Sequence, residues 1–152
     1  MAKLKPDDLF DLTFTSEPTL NADGTLAAAV HTTIVQPATE DNAPRYKSNI
    51  YLYDLKTSKE TKFTRSDFSD SQPRFSPDGT QLAFLSRRKE EAKPQLFVIP
   101  LSGGEAKQLT DFKAGVNSFV WHPEGQSLAF VSRGDWEDEV AKKKTARTVD
   151  RF

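Results

Sequence analysis

The sequence predicts an all-β fold: an incomplete β-propeller of about three four-stranded blades, led by a short N-terminal helix. Three observations predict it. A segment of the chain repeats at a fixed offset, each copy divides into four short strand-like runs, and no copy keeps the i, i+3, i+4 apolar spacing of a helix. The repeat is read directly: Ser76-Pro-Asp-Gly-Thr-Gln-Leu-Ala-Phe-Leu-Ser-Arg87 returns as His122-Pro-Glu-Gly-Gln-Ser-Leu-Ala-Phe-Val-Ser-Arg133, and loosely as Asn21-Ala-Asp-Gly-Thr-Leu-Ala-Ala-Ala-Val-His31. A second segment, Ile50 to Thr64, returns without a gap as Leu96 to Thr110 at the same offset of 46 residues that separates Gly79 from Gly125. Gly24 precedes Gly79 by 55, so the first unit carries 9 extra residues, between Thr33 and Asn49.

Within a unit, the first strand is short and apolar: Phe75 in the second unit, Phe119-Val-Trp121 in the third. A tight turn follows, made by Asp23-Gly24, Pro77-Asp78-Gly79 and Pro123-Glu-Gly125. Proline presets the backbone angle, aspartate tolerates the bridge region and glycine supplies a positive φ. The second strand, Leu82-Ala-Phe-Leu85 or Leu128-Ala-Phe-Val131, is an uninterrupted apolar run, as a strand buried on both faces should be. The third, Leu96-Phe-Val-Ile99, ends in the Ser102-Gly103-Gly104 turn. The fourth, Ala106 to Thr110, is short and polar, fitting an outer edge. Before the first unit, Lys5-Pro-Asp-Asp-Leu-Phe-Asp-Leu12 reads as one or two helical turns, with Pro6 at the first position and Asp7 and Asp8 at the positive end of the helix dipole. Its Leu9, Phe10 and Leu12 are expected to dock on an apolar surface.

The organisation expected is therefore a helical lead (1–14), blade 1 (15–64), blade 2 (65–112) and a partial blade 3 (113–152). Propellers close with about 4–8 blades. This count predicts that the sequence is part of a longer propeller, whose remainder would cover its open flanks.

Composition excludes several classes. The 152 residues are 36% hydrophobic and 28% charged, with a formal net charge of -1. That is ordinary for a globular protein and gives no general attraction to nucleic acid or anionic membranes. Without cysteine there is neither a disulfide framework nor a thiolate metal site, and two histidines are too few for a dedicated zinc centre. The apolar run Leu26 to Val30 cannot span a bilayer. Met1 to Asp8 lacks the apolar region of a secretory signal, so a cytoplasmic location is expected. No cofactor is called for.

No catalytic residue is identified in the chain. A Gly-x-Ser-x-Gly elbow is absent, since Ser102-Gly-Gly and Gly115-Val-Asn-Ser118 fail the spacing. His122 holds a turn position equivalent to Ser76 and is read as a turn cap. His31 aligns with Ser86 and Ser132 and is read as a surface residue at a strand end. Asp135-Trp-Glu-Asp-Glu-Val-Ala-Lys-Lys-Lys144 offers Asp138 with Lys142 and Glu139 with Lys143 at helical spacing. It is read as a charged loop, its acids cancelling the lysines as a nucleic-acid signal.

Strand alternation sorts the connections. The tight turns after strands one and three emerge on one face of the propeller. The long or charged loops after strand two (33–49, 87–93 and 133–148) emerge on the other. Insertions gathered on one face of a repeat protein mark its binding face. Arg133, Asp135, Trp136 and Glu137 are the candidates there for the wall of a substrate path.

Pro6-Asp-Asp-Leu-Phe-Asp-Leu12, Ser16-Glu-Pro-Thr-Leu-Asn-Ala-Asp-Gly24, Pro73-Arg-Phe-Ser-Pro-Asp-Gly79 and Gln95-Leu-Phe-Val-Ile-Pro-Leu101 together resemble the start of the prolyl oligopeptidase family of serine peptidases, in its acylaminoacyl-peptidase branch. The likeness covers essentially the whole chain. Its blade motif is shared with TolB-like propellers, whereas the N-terminal lead is more discriminating. Asn21-Ala22 departs from the usual Ser-Pro of the first blade. The resemblance implies a parent that adds a C-terminal α/β-hydrolase domain carrying a Ser-Asp-His triad, with the propeller admitting only short peptides. It places none of the triad in these residues, so this chain alone is expected to be inactive. Its partners would be further blades and the hydrolase domain, in the same or a separate chain, in a parent expected to be a homo-oligomer. A non-catalytic propeller serving as an interaction platform is the alternative.

Overall fold

The computed structural model describes residues 5–36, 43–89, 91–133 and 147–150. Among them every regular element is a strand except one 3-10 helix at Pro6–Asp11. That helix is closed at its start by the Asp8 carboxylate, which accepts from the Lys5 N–H at 2.8 Å. Its Leu9 and Leu12 remain about half exposed (53% and 43%), so no apolar surface among the described residues covers them fully.

Blade 1 contains β1 (Thr13–Leu20), β2 (Leu26–Val35), β3 (Arg45–Asp54) and β4 (Lys59–Lys62), each antiparallel to the next. Blade 2 repeats the order with β5 (Ser69–Phe75), β6 (Gln81–Arg87), β7 (Gln95–Pro100) and β8 (Lys107–Gln108). Blade 3 begins with β9 (Ser118–Trp121) and β10 (Ser127–Val131), and β11 (Arg147–Asp150) pairs with β10. The up-and-down order is that of a propeller blade, and the array is open rather than closed. One parallel bridge, Ser48 to Ser69, links the first two blades. The first unit's additional residues partly lengthen its middle hairpin: β2 and β3 run ten residues each against seven and six in β6 and β7.

Blades adhere through the alternation of their strands. Leu82 and Phe84 of β6, with Phe97 and Ile99 of β7, face Ala28, Val30 and Ile50 of blade 1. The intervening Ala83, Leu85, Leu96 and Val98 face Phe119, Trp121, Leu128 and Phe130 of blade 3. Blade 2 is thus apolar on both faces, which is why its middle strands read as continuous apolar runs. Each large side chain buried between blades contributes about 1.5–3 kcal/mol.

The turns have the backbone their residues dictate. Gly24, Gly79 and Gly125 sit at φ 68, 70 and 74, and Gly103 and Gly104 at 99 and 118. Asp78 accepts from the Thr80 N–H at 3.0 Å and from the Ser76 hydroxyl at 2.6 Å. These donors hold its carboxyl below the usual range, the Ser76 hydroxyl foremost. Asp23 accepts from Thr25 in the same way and is lowered mainly by the Thr25 hydroxyl. Pro77 and Gly125 are adjacent in space: a Cβ on Gly125 would lie 3.4 Å from the Pro77 ring, so successive turns stack.

Candidate functional site

The register places the connections on two faces. Thr13 pairs with Thr33 and Arg45 with Val35, so the 3-10 helix, the end of β2 and the start of β3 share one end of blade 1. The end of β6, the start of β7 and the end of β10 occupy the corresponding end of their blades. This loop face is uneven and charged. Arg87 donates to the Ser69 hydroxyl at 3.0 Å, Arg88 lies over the Phe97 ring at 4.6 Å, and Arg87, Glu91 and Lys93 border a depression of about 410 Å³. Lys47 pairs with Asp67 at 2.8 Å and lowers its carboxyl. Phe14 and Tyr46 add exposed aromatic surface beside Leu9 and Leu12 at the end of blade 1.

Of the substrate-path candidates, Arg133 is exposed on this face, two residues beyond β10. Asp135, Trp136 and Glu137 lie outside the described residues, as do the helically spaced pairs Asp138 with Lys142 and Glu139 with Lys143. The turn residues Asp23, Gly24, Pro77, Asp78, Gly79, Gly103, Gly104, Pro123 and Gly125 lie together on the opposite face, apart from Arg133.

Two polar groupings went unrecognised in the sequence. The first is between blades 1 and 2, at the loop-face end. Asp70 is fully buried; its Oδ1 accepts from the Ser86 hydroxyl at 2.5 Å, and its Oδ2 has no hydrogen-bond partner among the described residues. Burial pushes the carboxyl up, against the smaller opposing pull of Ser86, Thr64, Arg88 and Asn49. Beside it Asn49 donates to the Ser66 carbonyl at 2.9 Å, and the Thr64 hydroxyl accepts the Ile50 N–H at 2.9 Å. Thr110 takes the Leu96 N–H identically one blade later. The matched segments both end on these threonines, which is the signal that could have revealed them.

The second grouping is on the face of blade 1 turned away from blade 2. His31 is not at a strand end, because the lengthened β2 continues to Val35. Its Nε2 is 2.5 Å from the Tyr53 hydroxyl, and its ring stacks on Tyr51 at 4.1 Å. Burial, then Glu60, hold the Tyr53 phenol above its usual value, so it stays protonated at neutral pH. Lys62 lies 6.0 Å from the Tyr51 ring centre, and with Lys47 and Glu60 this cluster borders a depression of about 500 Å³. The hydroxyl bonded to His31 is thus a phenol held protonated, not an activated serine. His122 Nδ1 receives the Glu124 N–H at 3.2 Å and caps its turn. The arrangement suits recognition and packing.

Residues 38–151 match the model of the TolB beta propeller domain. Over 140 residues, the chain is 37% identical to an uncharacterized peptidase, YuxL, of Bacillus subtilis (strain 168), covering 91% of this chain and 20% of that protein. The acylaminoacyl peptidase of Pyrococcus horikoshii superposes with a TM-score of 0.64 at 27% identity, over 87% of this chain and 19% of its own. TolB of Acinetobacter baumannii superposes at 0.58 and 21% identity, over 89% and 29%, a likeness of fold. The chain spans about a fifth of the length of the two peptidases. These likenesses bear out the resemblance to the propeller portion of prolyl-oligopeptidase-type peptidases.

Proposed function

The chain belongs to the TolB β-propeller domain family, and on that footing we propose that it is the N-terminal part of the propeller of a serine peptidase. In this reading it limits entry of peptides to a C-terminal α/β-hydrolase domain beyond these residues. The observation that carries it is the alignment with a Bacillus peptidase across nine-tenths of the chain, at one-fifth of that protein's length. The loop face is the side assigned to the hydrolase domain. It carries the unequal connections and the half-exposed Leu9, Leu12 and Phe14, a surface that a second domain would cover.

The mechanism of such a part is steric. A cavity closed on one side by blades admits extended short chains and excludes folded proteins, without forming or breaking a bond itself. Arg133, with Asp135, Trp136 and Glu137 next to it in sequence, is assigned to the wall of the path. A cytoplasmic, homo-oligomeric parent accords with this reading.

A fluorophosphonate probe applied to the intact protein tests it: one labelled serine downstream of residue 152 is expected, and no labelled serine would refute it. Residues 1–152 alone should not hydrolyse acyl-amino-acid or peptide esters. The propeller-only reading, an interaction platform, draws on the fold likeness to TolB. It is distinguished by a downstream sequence made of further blades without a Gly-x-Ser-x-Gly elbow.

A further inference from the structure

The first strands of the three blades, β1, β5 and β9, are neighbours that share no ladder with one another; β1 and β9 end their sheets, and β5 is joined to β3 only by the Ser48–Ser69 bridge, so most of its outward side is an edge as well. An edge strand leaves a row of backbone groups unpaired on one side, and those groups need partners. β1 and β5 are both interrupted at the same place. Their registers shift between Ser16 and Thr19 and between Ser71 and Arg74, and Glu17 and Gln72 adopt φ 53 and 51, each followed by proline. The left-handed region costs a non-glycine residue about 1–2 kcal/mol. Such a conformation persists only where surrounding contacts hold it.

Those contacts run from blade to blade. The Glu17 carboxylate, through Oε2, accepts the backbone N–H of Gln72 at 2.5 Å. The Gln72 side chain, through Nε2, donates to the Asn117 carbonyl immediately before β9 at 3.0 Å. Each bond joins a side chain on one innermost strand to the backbone of the next blade. Both bonds are solvent-exposed, and none of their residues belongs to the apolar clusters that hold the blades together.

We infer that Glu17, Gln72 and Asn117 are positioning residues of a hydrogen-bonded girdle around the propeller axis, which fixes the spacing of the inner strands and hence the width of the opening between them. The bulges take the inner edges out of regular pairing, and the girdle occupies the Gln72 N–H. An extended peptide passing along the axis therefore finds the edges of β1 and β5 broken and the Gln72 N–H already taken, which disfavours its docking as an added strand. The effect on peptide passage rests on the peptidase reading above; the girdle does not.

The test uses the intact protein with Glu17→Ala, which removes the acceptor, and Glu17→Gln, which keeps one. Amide hydrogen exchange at Gln72 should quicken about tenfold or more in Glu17→Ala, the loss of one hydrogen bond to a charged group, and be protected again in Glu17→Gln. Exchange at Phe84, in the middle of β6, should not change and reports that the blade is folded. The ratio of kcat/KM for a long peptide to that for a single acylated residue should rise in Glu17→Ala and return in Glu17→Gln. Unchanged exchange at Gln72 in a folded Glu17→Ala overturns the girdle. Faster exchange with an unchanged ratio overturns its control of the opening. Absence of hydrolysis by the unsubstituted protein would count against the peptidase reading alone, and exchange would still decide the girdle.

Discussion

Gly115 bears the heaviest geometric constraint of the described glycines, and alanine there should destabilise the protein far more than at any turn glycine. Its φ is +73, and a Cβ would stand 2.6 Å from the Lys93 Cβ and 2.8 Å from the Pro94 carbonyl oxygen. Neither side can withdraw freely: the Pro94 oxygen accepts the Val116 N–H at 2.7 Å, and the Gly115 carbonyl accepts the Ser132 hydroxyl at 2.5 Å. The left-handed conformation costs alanine about 1–2 kcal/mol. Forcing the packed backbone apart adds about 1–3 kcal/mol. Gly79 supplies the control, since its φ is +70 and a Cβ there meets no atom of the described residues within 4 Å. Gly79→Ala should therefore show the first cost alone, and Gly115→Ala about 1–3 kcal/mol more. Urea unfolding of both variants of the intact protein, followed by tryptophan fluorescence, would separate their midpoints by roughly 1 M, given slopes of about 1–3 kcal/mol/M. Coincident midpoints would refute the close-approach argument.

Other outcomes follow from the buried polar groups. Burial raises Asp70 above 3.8, so the native state binds its proton more tightly. Stability then falls as pH rises from the unfolded value through the raised folded one. Asp70→Asn should be at least as stable as the unsubstituted protein at pH 7, with the difference shrinking toward pH 4; a variant less stable at pH 7 contradicts this. Thr64→Val and Thr110→Val each strand a buried N–H, of Ile50 and Leu96, and each should cost about 1–3 kcal/mol in urea unfolding. Thr61→Val, with its side chain in the exposed outer strand β4, should cost little by comparison. Trp121→Phe removes the indole N–H bond to the Arg74 carbonyl at 3.0 Å. It should lower stability by about 1 kcal/mol or more, and an unchanged thermal midpoint would argue that water replaces the bond.

The fold was legible because the features that build a blade are local and repeated. Pro77-Asp78-Gly79 declares its turn by residue chemistry, and Leu82 to Leu85 declares burial on both faces by an uninterrupted apolar run. The bulges were not legible, although Ser16-Glu-Pro18 and Ser71-Gln-Pro73 stand 55 residues apart, the spacing of Gly24 and Gly79. A Glu-Pro or Gln-Pro pair by itself suits ordinary extended backbone, because proline restricts the residue before it to that region. Only the neighbouring blade explains the positive φ. Asp70 escaped notice for a related reason. Ser69-Asp-Ser-Gln72 is a polar run that reads as exposed, and its burial comes from the 63–68 connection and from β6. Alignment with Ser86 puts His31 at a strand end, but β2 runs on to Val35 whereas the strand of Ser86 ends at Arg87.

The same comparison of equivalent positions bears on how blade 1 meets a neighbour on its far side. Where blade 2 carries Leu82, Phe84, Ser86, Phe97 and Ile99, blade 1 carries Ala27, Ala29, His31, Tyr51 and Tyr53. Replacing leucine and phenylalanine by alanine removes apolar area that contributes about 1.5–3 kcal/mol for each large side chain when covered. The tyrosine hydroxyls and the imidazole reward covering only if they keep hydrogen-bond partners. The Tyr53–His31 bond and the His31–Tyr51 stack already satisfy part of that need within blade 1. A blade packed here would therefore gain less from area than blade 2 gains from blade 1, and more from directional contacts to Lys62, Glu60 and the two phenols. Association of that kind is more sensitive to salt than the apolar packing between blades 1 and 2.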